Sequence, residues 1–263
     1  MFLLAVESSH LGRLDYASLS TQALMEIFIE GIENREIICG NAEEPADVDQ
    51  WKGFEYVEEQ TADAGEKLIN IDWYYLDLVG TIDLRWLPPN IYSIIIDDSQ
   101  LSGSRNLAAL PPSIQRLEFT TNAFSGEIDL CHLPAKITIV FLSVNQLSGS
   151  INLEKLPTSM QELHLSKNRF TGTVCLRHLP PNFVGLSVRG NELSGTLDLT
   201  RLPVMMKYLS IEENNFEGKT DFSQLPEGLK QLNVSHTNLS GEIPVRYRST
   251  YYRIAHSKVQ WGQ

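Results

Sequence analysis

Leu-Pro pairs begin at Leu87, Leu110, Leu133, Leu156, Leu179, Leu202 and Leu225, a spacing of 23 residues with no insertion or deletion. Glycine keeps the same clock at Gly80, Gly103, Gly126, Gly149, Gly172, Gly195, Gly218 and Gly241. A fixed period of this length constrains the fold more than any other feature of the chain, because each unit is too small to bury its own apolar face and must stack on a copy of itself. The units read L-P-x-x-I-x-x-L-x-L-x-x-N-x-L-S-G-x-I-x-L-x-x, and eight fit, the first (about 64–86) being degenerate.

Within each unit an alternating pair such as Leu163/Leu165 or Leu186/Val188 has the period of a short strand with two side chains pointing inward. One strand per unit gives a parallel sheet. Where the chain leaves that strand, Asn122, Asn145, Asn168, Asn191 and Asn214 recur, placed so that their amides serve the backbone groups of the turn in unit after unit. Ser99 and Thr237 stand in for this asparagine in the outer repeats, and Leu76 in the first. A second ladder, Leu78, Leu101, Phe124, Leu147, Phe170, Leu193, Phe216 and Leu239, fills the core behind the sheet.

These residues resemble the leucine-rich-repeat family over residues 64–247. The L-x-x-L-x-L-x-x-N-x-L-S-G-x-I portion resembles the plant-specific class and the Leu-Pro opening the bacterial LPX class, a hybrid that suggests a large repeat family of unicellular eukaryotes. The resemblance implies an α/β solenoid, a horseshoe with a parallel sheet on its concave face. Its convex face would be mostly irregular, with short 3-10 or strand segments. It further implies a module that binds another protein.

A solenoid needs ends unlike its middle. Residues 1–63 are expected to form an acidic N-terminal capping region, with an amphipathic helix over about 20–32 in which Leu24, Ile27, Phe28 and Ile32 follow Ser20 as N-cap. Trp51-Lys-Gly-Phe54 is similar to the tryptophan-glycine element of plant N-terminal caps, without the paired cysteines of that cap. Residues 248–263 read as a basic, aromatic C-terminal cap or tail.

The formal charge is −12, and residues 1–67 hold fifteen acids against four bases, a net −11. Three cysteines, Cys39, Cys131 and Cys175, cannot all pair, and the longest apolar run near the start, Phe2–Val6, is too short for a secretory core or a membrane span. The expectation is a cytoplasmic, reducing compartment.

The outward side chains of the strands form rows. One runs Asp72, Ile95, Glu118, Phe141, His164, Ser187, Ser210, Asn233, and its neighbour Asn70, Ser93, Arg116, Ile139, Glu162, Gly185, Tyr208, Gln231. A third, on the turn side, includes Tyr74 and Arg189. Ile139 and Phe141 beside Ile95, with Arg116 and His164 adjacent, give the apolar centre and charged surround of a binding hot spot. The expected contact surface is therefore Asp72, Tyr74, Ile95, Arg116, Glu118, Ile139, Phe141, His164, Arg189 and Tyr208.

No convergent catalytic constellation is visible, so no enzyme activity and no cofactor is expected. The row Asp83, Asn106, Asp129, Asn152, Cys175, Asp198, Asp221 alternates carboxylates with amides and reads as a hydrogen-bonding ladder at a turn rather than a calcium site; no metal is expected. Arg85, His132, Lys155, Arg177, His178 and Arg201 line an alternative basic edge. Through Arg177, His178, Arg201 and the C-terminal tail the chain would dock as a structural subunit into a larger, ribonucleoprotein-like assembly. The overall charge and the lack of interleaved aromatics argue against direct nucleic-acid binding.

Overall fold

In a computed structural model of the chain, residues 16–57, 67–103, 106–247, 249 and 251–262 are described. The expected boundary at 63/64 and Arg248 lie outside them.

The repeated apolar pair makes one strand per unit. Strands Leu68–Asp72, Ile91–Ile95, Arg116–Glu118, Ile139–Phe141, Glu162–His164, Gly185–Ser187, Tyr208–Ser210 and Gln231–Asn233 stand side by side in sequence order. Each is parallel to the next. The sheet has ten strands because each end gains one from outside the repeat array. Phe54–Val57 pairs antiparallel with Leu68–Asp72, and Tyr252–Arg253 pairs parallel with Gln231–Asn233. Parallel strands buried on one face need a crossover each, and the 23-residue unit supplies it.

Leaving each strand, the chain turns through a residue with positive φ, as at Thr121 (57°), Val144 (57°) and Lys167 (53°), directly before an asparagine. That asparagine ties its coil to the one before. Asn168 Oδ1 accepts from the Leu147 N–H at 3.0 Å, and its Nδ2 donates to the Leu142 carbonyl at 2.9 Å. Asn122, Asn145, Asn191 and Asn214 repeat the pattern, always reaching a backbone N–H 21 residues back and a carbonyl 26 residues back. The outer substitutes do less. Ser99 still accepts from the Leu78 N–H, whereas the Thr237 hydroxyl donates to Val234 within its own coil.

The far side is more regular than the sequence suggests. The L-S-G-x-I segments, from Ser125–Glu127 through Asn238–Ile243, are extended, and Lys258–Trp261 joins them to complete a seven-stranded parallel sheet. Val79–Ile82 and Gln100–Gly103 form a separate pair. An extended backbone must place its N–H and C=O groups somewhere, and the identical segment one unit on offers matching partners. Short 3-10 turns remain at Leu84–Trp86, Leu107–Ala109 and Val245–Tyr247. Between the sheets lies the core, in which all eight members of the second ladder are buried.

Helix α1, Thr21–Ile29, starts at Ser20, whose hydroxyl accepts from the Ala23 N–H. It buries Leu24, Met25, Phe28 and Ile29. The expected face was rotated: Ile27 is half-exposed, and Ile32 is buried beyond the helix end, bridging to Gly80. The difference arises at Gly31, where the chain leaves the helix and runs along the first coil, with Thr81 N–H donating to the Gly31 carbonyl and Glu33 N–H to that of Val79. Phe28 stacks on Trp73 at 6.0 Å between ring centres. The Trp73 indole N–H donates to the Lys52 carbonyl, and that of Trp51 to Ala46.

Candidate functional site

Strand alternation sends every second side chain out of the ten-stranded sheet, and the register aligns them in rows. Asp72 pairs with Ile95, Ile95 with Glu118, Glu118 with Phe141, Phe141 with His164 and His164 with Ser187. The second row aligns Arg116, Ile139, Glu162, Gly185 and Tyr208 in the same way.

Six of the expected contact residues converge along the middle of this face. Phe141 and His164 stack with ring centres 4.1 Å apart and planes 4° from parallel, and Tyr208 meets His164 edge-on at 5.8 Å. Tyr208 lies across Gly185: a Cβ there would stand 1.7 Å from the ring, so the glycine makes room for the tyrosine. Burial, then a hydrogen bond with Glu162, pushes the Tyr208 phenol well above its ordinary pKa. Beside this aromatic ledge, Ile95, Arg116 and Ile139 line a cleft of about 540 Å³ together with Val57, Tyr92 and Thr138. Those last three were missed. Tyr92 and Thr138 precede their strands' outward rows, and Val57 belongs to the antiparallel strand, whose register no repeat pattern encodes.

Charge on this face is mostly negative. Arg116 Nη2 sits 2.6 Å from Glu118 Oε1, without the geometry of a hydrogen bond. Burial raises the Glu118 pKa, and Arg116 pulls it back. Burial likewise raises Asp97, which faces Asp98 and Asp72. Tyr74 is exposed against Tyr75, 4.0 Å between rings, and a hydrogen bond that its hydroxyl donates to that neighbour is the main reason its phenol is pushed up to about 12. Arg189 is spent on Glu213, at 2.8 Å, and on the buried Glu212, at 3.6 Å.

His164 contributes a pH dependence. Burial lowers its pKa from 6.5, with Glu162 pulling partly the other way. The unfolded chain therefore takes up this proton at higher pH than the folded one, so His164's contribution is present above 6.5 and lost as pH falls through the window below it. His164→Phe is expected to flatten that limb in denaturant melts below neutrality; an unchanged slope would assign it to other groups.

The alternative basic edge is largely paired. Arg177 Nε lies 3.3 Å from Asp198, and His178 Nδ1 lies 3.2 Å from Glu154; Arg201 sits close enough to Asp198 to help lower its pKa. In the turn row, Asp83, Asp129, Asn152, Asp198 and Asp221 each accept the backbone N–H two residues on. No helix among the described residues is long and apolar enough to cross a membrane.

Comparison with solved structures decides the fold. The Arabidopsis receptor kinase HAESA, solved with the peptide hormone IDA and the co-receptor SERK1, is similar over 65% of this chain and 30% of its own, at 23% identity and a TM-score of 0.54. The TDR receptor is similar over 66% of this chain and 33% of its own, at 20% identity and a TM-score of 0.53. The chain has a leucine-rich-repeat solenoid fold. A plant ice-binding protein matches this solenoid nearly end to end, over 92% of this chain and 95% of its own, at 20% identity and a TM-score of 0.51. The solenoid spans about a third of the length of the two receptors. No family model and no curated protein matches it.

Proposed function

We propose that the chain is a non-catalytic protein-interaction module that uses its ten-stranded sheet, the inner face of the solenoid, to hold an apolar protein segment flanked by basic groups. Residues 64–247 would form the recognition array, and the regions before and after it would act as caps. The observation that carries this reading is unmet hydrogen bonding. Of the four buried side-chain polar atoms that lack a hydrogen-bond partner among the described residues, Arg116 Nε and His164 Nε2 lie on this face, and a third, Glu118 Oε1, meets only the Arg116 guanidinium there. Buried polar atoms are almost always satisfied, so a cluster without partners on a grooved surface fits a ligand that supplies them. The cleft beside Ile95 and Ile139 and the Phe141–His164–Tyr208 ledge give that ligand an apolar seat. Acids outnumber the cation at each end, Asp72, Asp97 and Glu118 against Arg116 and Glu212 and Glu213 against Arg189, which favours cationic flanks. HAESA, solved with a peptide hormone, supports the same use of the fold.

Affinity capture from native extract, with the intact protein and with an Ile139→Asp/Phe141→Asp variant of verified fold, tests this. A partner held by the intact protein and lost from the variant is the expected result. Equal capture by both would move the site off this sheet.

A further inference from the structure

We propose that Glu154, Cys175 and His178 form a binding site for a borderline divalent cation, zinc by the chemistry of its donors, at the junction of two adjacent coils. One ligand atom from each residue lies within 4.8 Å of the other two. His178 Nδ1 and Glu154 Oε1 are 3.2 Å apart. A tetrahedral zinc with N and O bonds of about 2.0–2.1 Å separates those donors by about 3.3 Å, so this pair already stands at the edge length the ion requires. A thiolate, an imidazole and a carboxylate together are a donor set that zinc accepts and that calcium or magnesium does not.

The turn itself brings the groups together. Cys175 and His178 are three residues apart in the same turn. Two units earlier, Asp129 and His132 hold the same two turn positions, and their side chains meet at 2.6 Å. This turn therefore aims those two side chains at one another. Glu154 arrives from the preceding coil, 24 residues before His178, and closes the third side.

Cys175 also departs from a pattern that most of the row keeps. At five of the equivalent positions an Asp or Asn oxygen accepts the backbone N–H two residues on. Sulfur is a poor acceptor for that bond. Metal ligation gives the residue a chemical role at a position where the turn favours oxygen. The site is surface-facing, with Glu154 and His178 exposed and Cys175 half-buried, which leaves a fourth position for water or for a donor from another molecule. Binding sends the Cys175 thiol proton to solvent and needs neutral His178, so affinity falls on acidification. The ion would also clamp one coil to the next.

Cobalt(II) titration of the full chain, purified under reducing conditions and stripped with chelator, reads thiolate ligation directly. The expected result is a thiolate-to-cobalt charge-transfer band with a tetrahedral visible envelope, bleached by zinc. The band should survive Cys131→Ser, vanish in Cys175→Ser, and require on the order of tenfold more cobalt in His178→Ala. Zinc should raise the melting temperature of the parent chain and leave that of Cys175→Ser unchanged. These substitutions are at the surface, and far-UV circular dichroism checks the fold of each. A parent chain without the band, a band that survives Cys175→Ser, or full affinity in His178→Ala would each overturn the site and leave an ordinary Glu154–His178 ion pair.

Discussion

Asn168→Ala is expected to cost about 3 kcal/mol of unfolding free energy in denaturant melts. The substitution removes an acceptor for the Leu147 N–H and a donor to the Leu142, Leu165 and Ser166 carbonyls. Each buried backbone group left without a partner costs roughly 1–3 kcal/mol, and the missing amide volume adds a small cavity. Asn168 is 9% exposed, so water reaches the orphaned groups poorly. Asn122 makes the same cross-coil bonds but is less buried, and Asn122→Ala should cost about half as much. Equal losses at the two positions would mean that the ladder acts through turn conformation rather than through buried hydrogen bonds.

Gly80→Ala should be at least as damaging, with an expected loss of about 3 kcal/mol or more and release of the N-terminal region. Gly80 has φ of 121°, and a Cβ there would lie 2.2 Å from the Gly31 carbonyl oxygen. A side chain in that backbone conformation costs on the order of 1–3 kcal/mol, and forcing two backbones apart costs a similar amount. The contact it breaks holds segment 31–33 against the first coil, behind which Phe28 stacks on Trp73. Trp73 is fully buried, so its exposure should appear as a red shift in fluorescence, with faster proteolysis around residues 30–40. Wild-type stability together with an unshifted spectrum would show that α1 does not depend on this close approach.

Much of the architecture was legible because the repeat converts one-dimensional spacing into register. Once Leu163 and Leu165 point inward, Glu162 and His164 must point outward, and a fixed 23-residue step stacks the rows without further information. The observed pairing of Phe141 with His164 and of Arg116 with Ile139 follows from that step alone. What the period does not encode stayed hidden. Val57 reaches the cleft through an antiparallel strand outside the array. The second sheet was hard to see because a strand such as Arg169–Gly172 buries only Phe170 and shows no alternation. The phase of α1 was misread because the helix ends at Ile29, with Glu30 as its C-cap, before Ile32, so the spacing to that residue is not helical. The charge balance of the sheet face was also obscured. Arg189 reads as a free cation in a row of outward positions, and only its contacts with Glu212 and Glu213 show it to be neutralised.

The coil-to-coil hydrogen bonds of the asparagine ladder have a kinetic meaning as well. Each of these bonds joins residues 21 or 26 positions apart, so every coil that docks closes a chain loop of nearly the same length. Loop-closure entropy depends only weakly on length and is here almost identical at each step. Folding can thus begin at any adjacent pair of coils and spread both ways, with no long-range encounter to wait for. Whole units can be gained or lost at the same entropic cost, each changing the reach of the face by about one strand spacing, ~4.8 Å. The length of the recognition surface is in this sense a separately adjustable quantity from its chemistry.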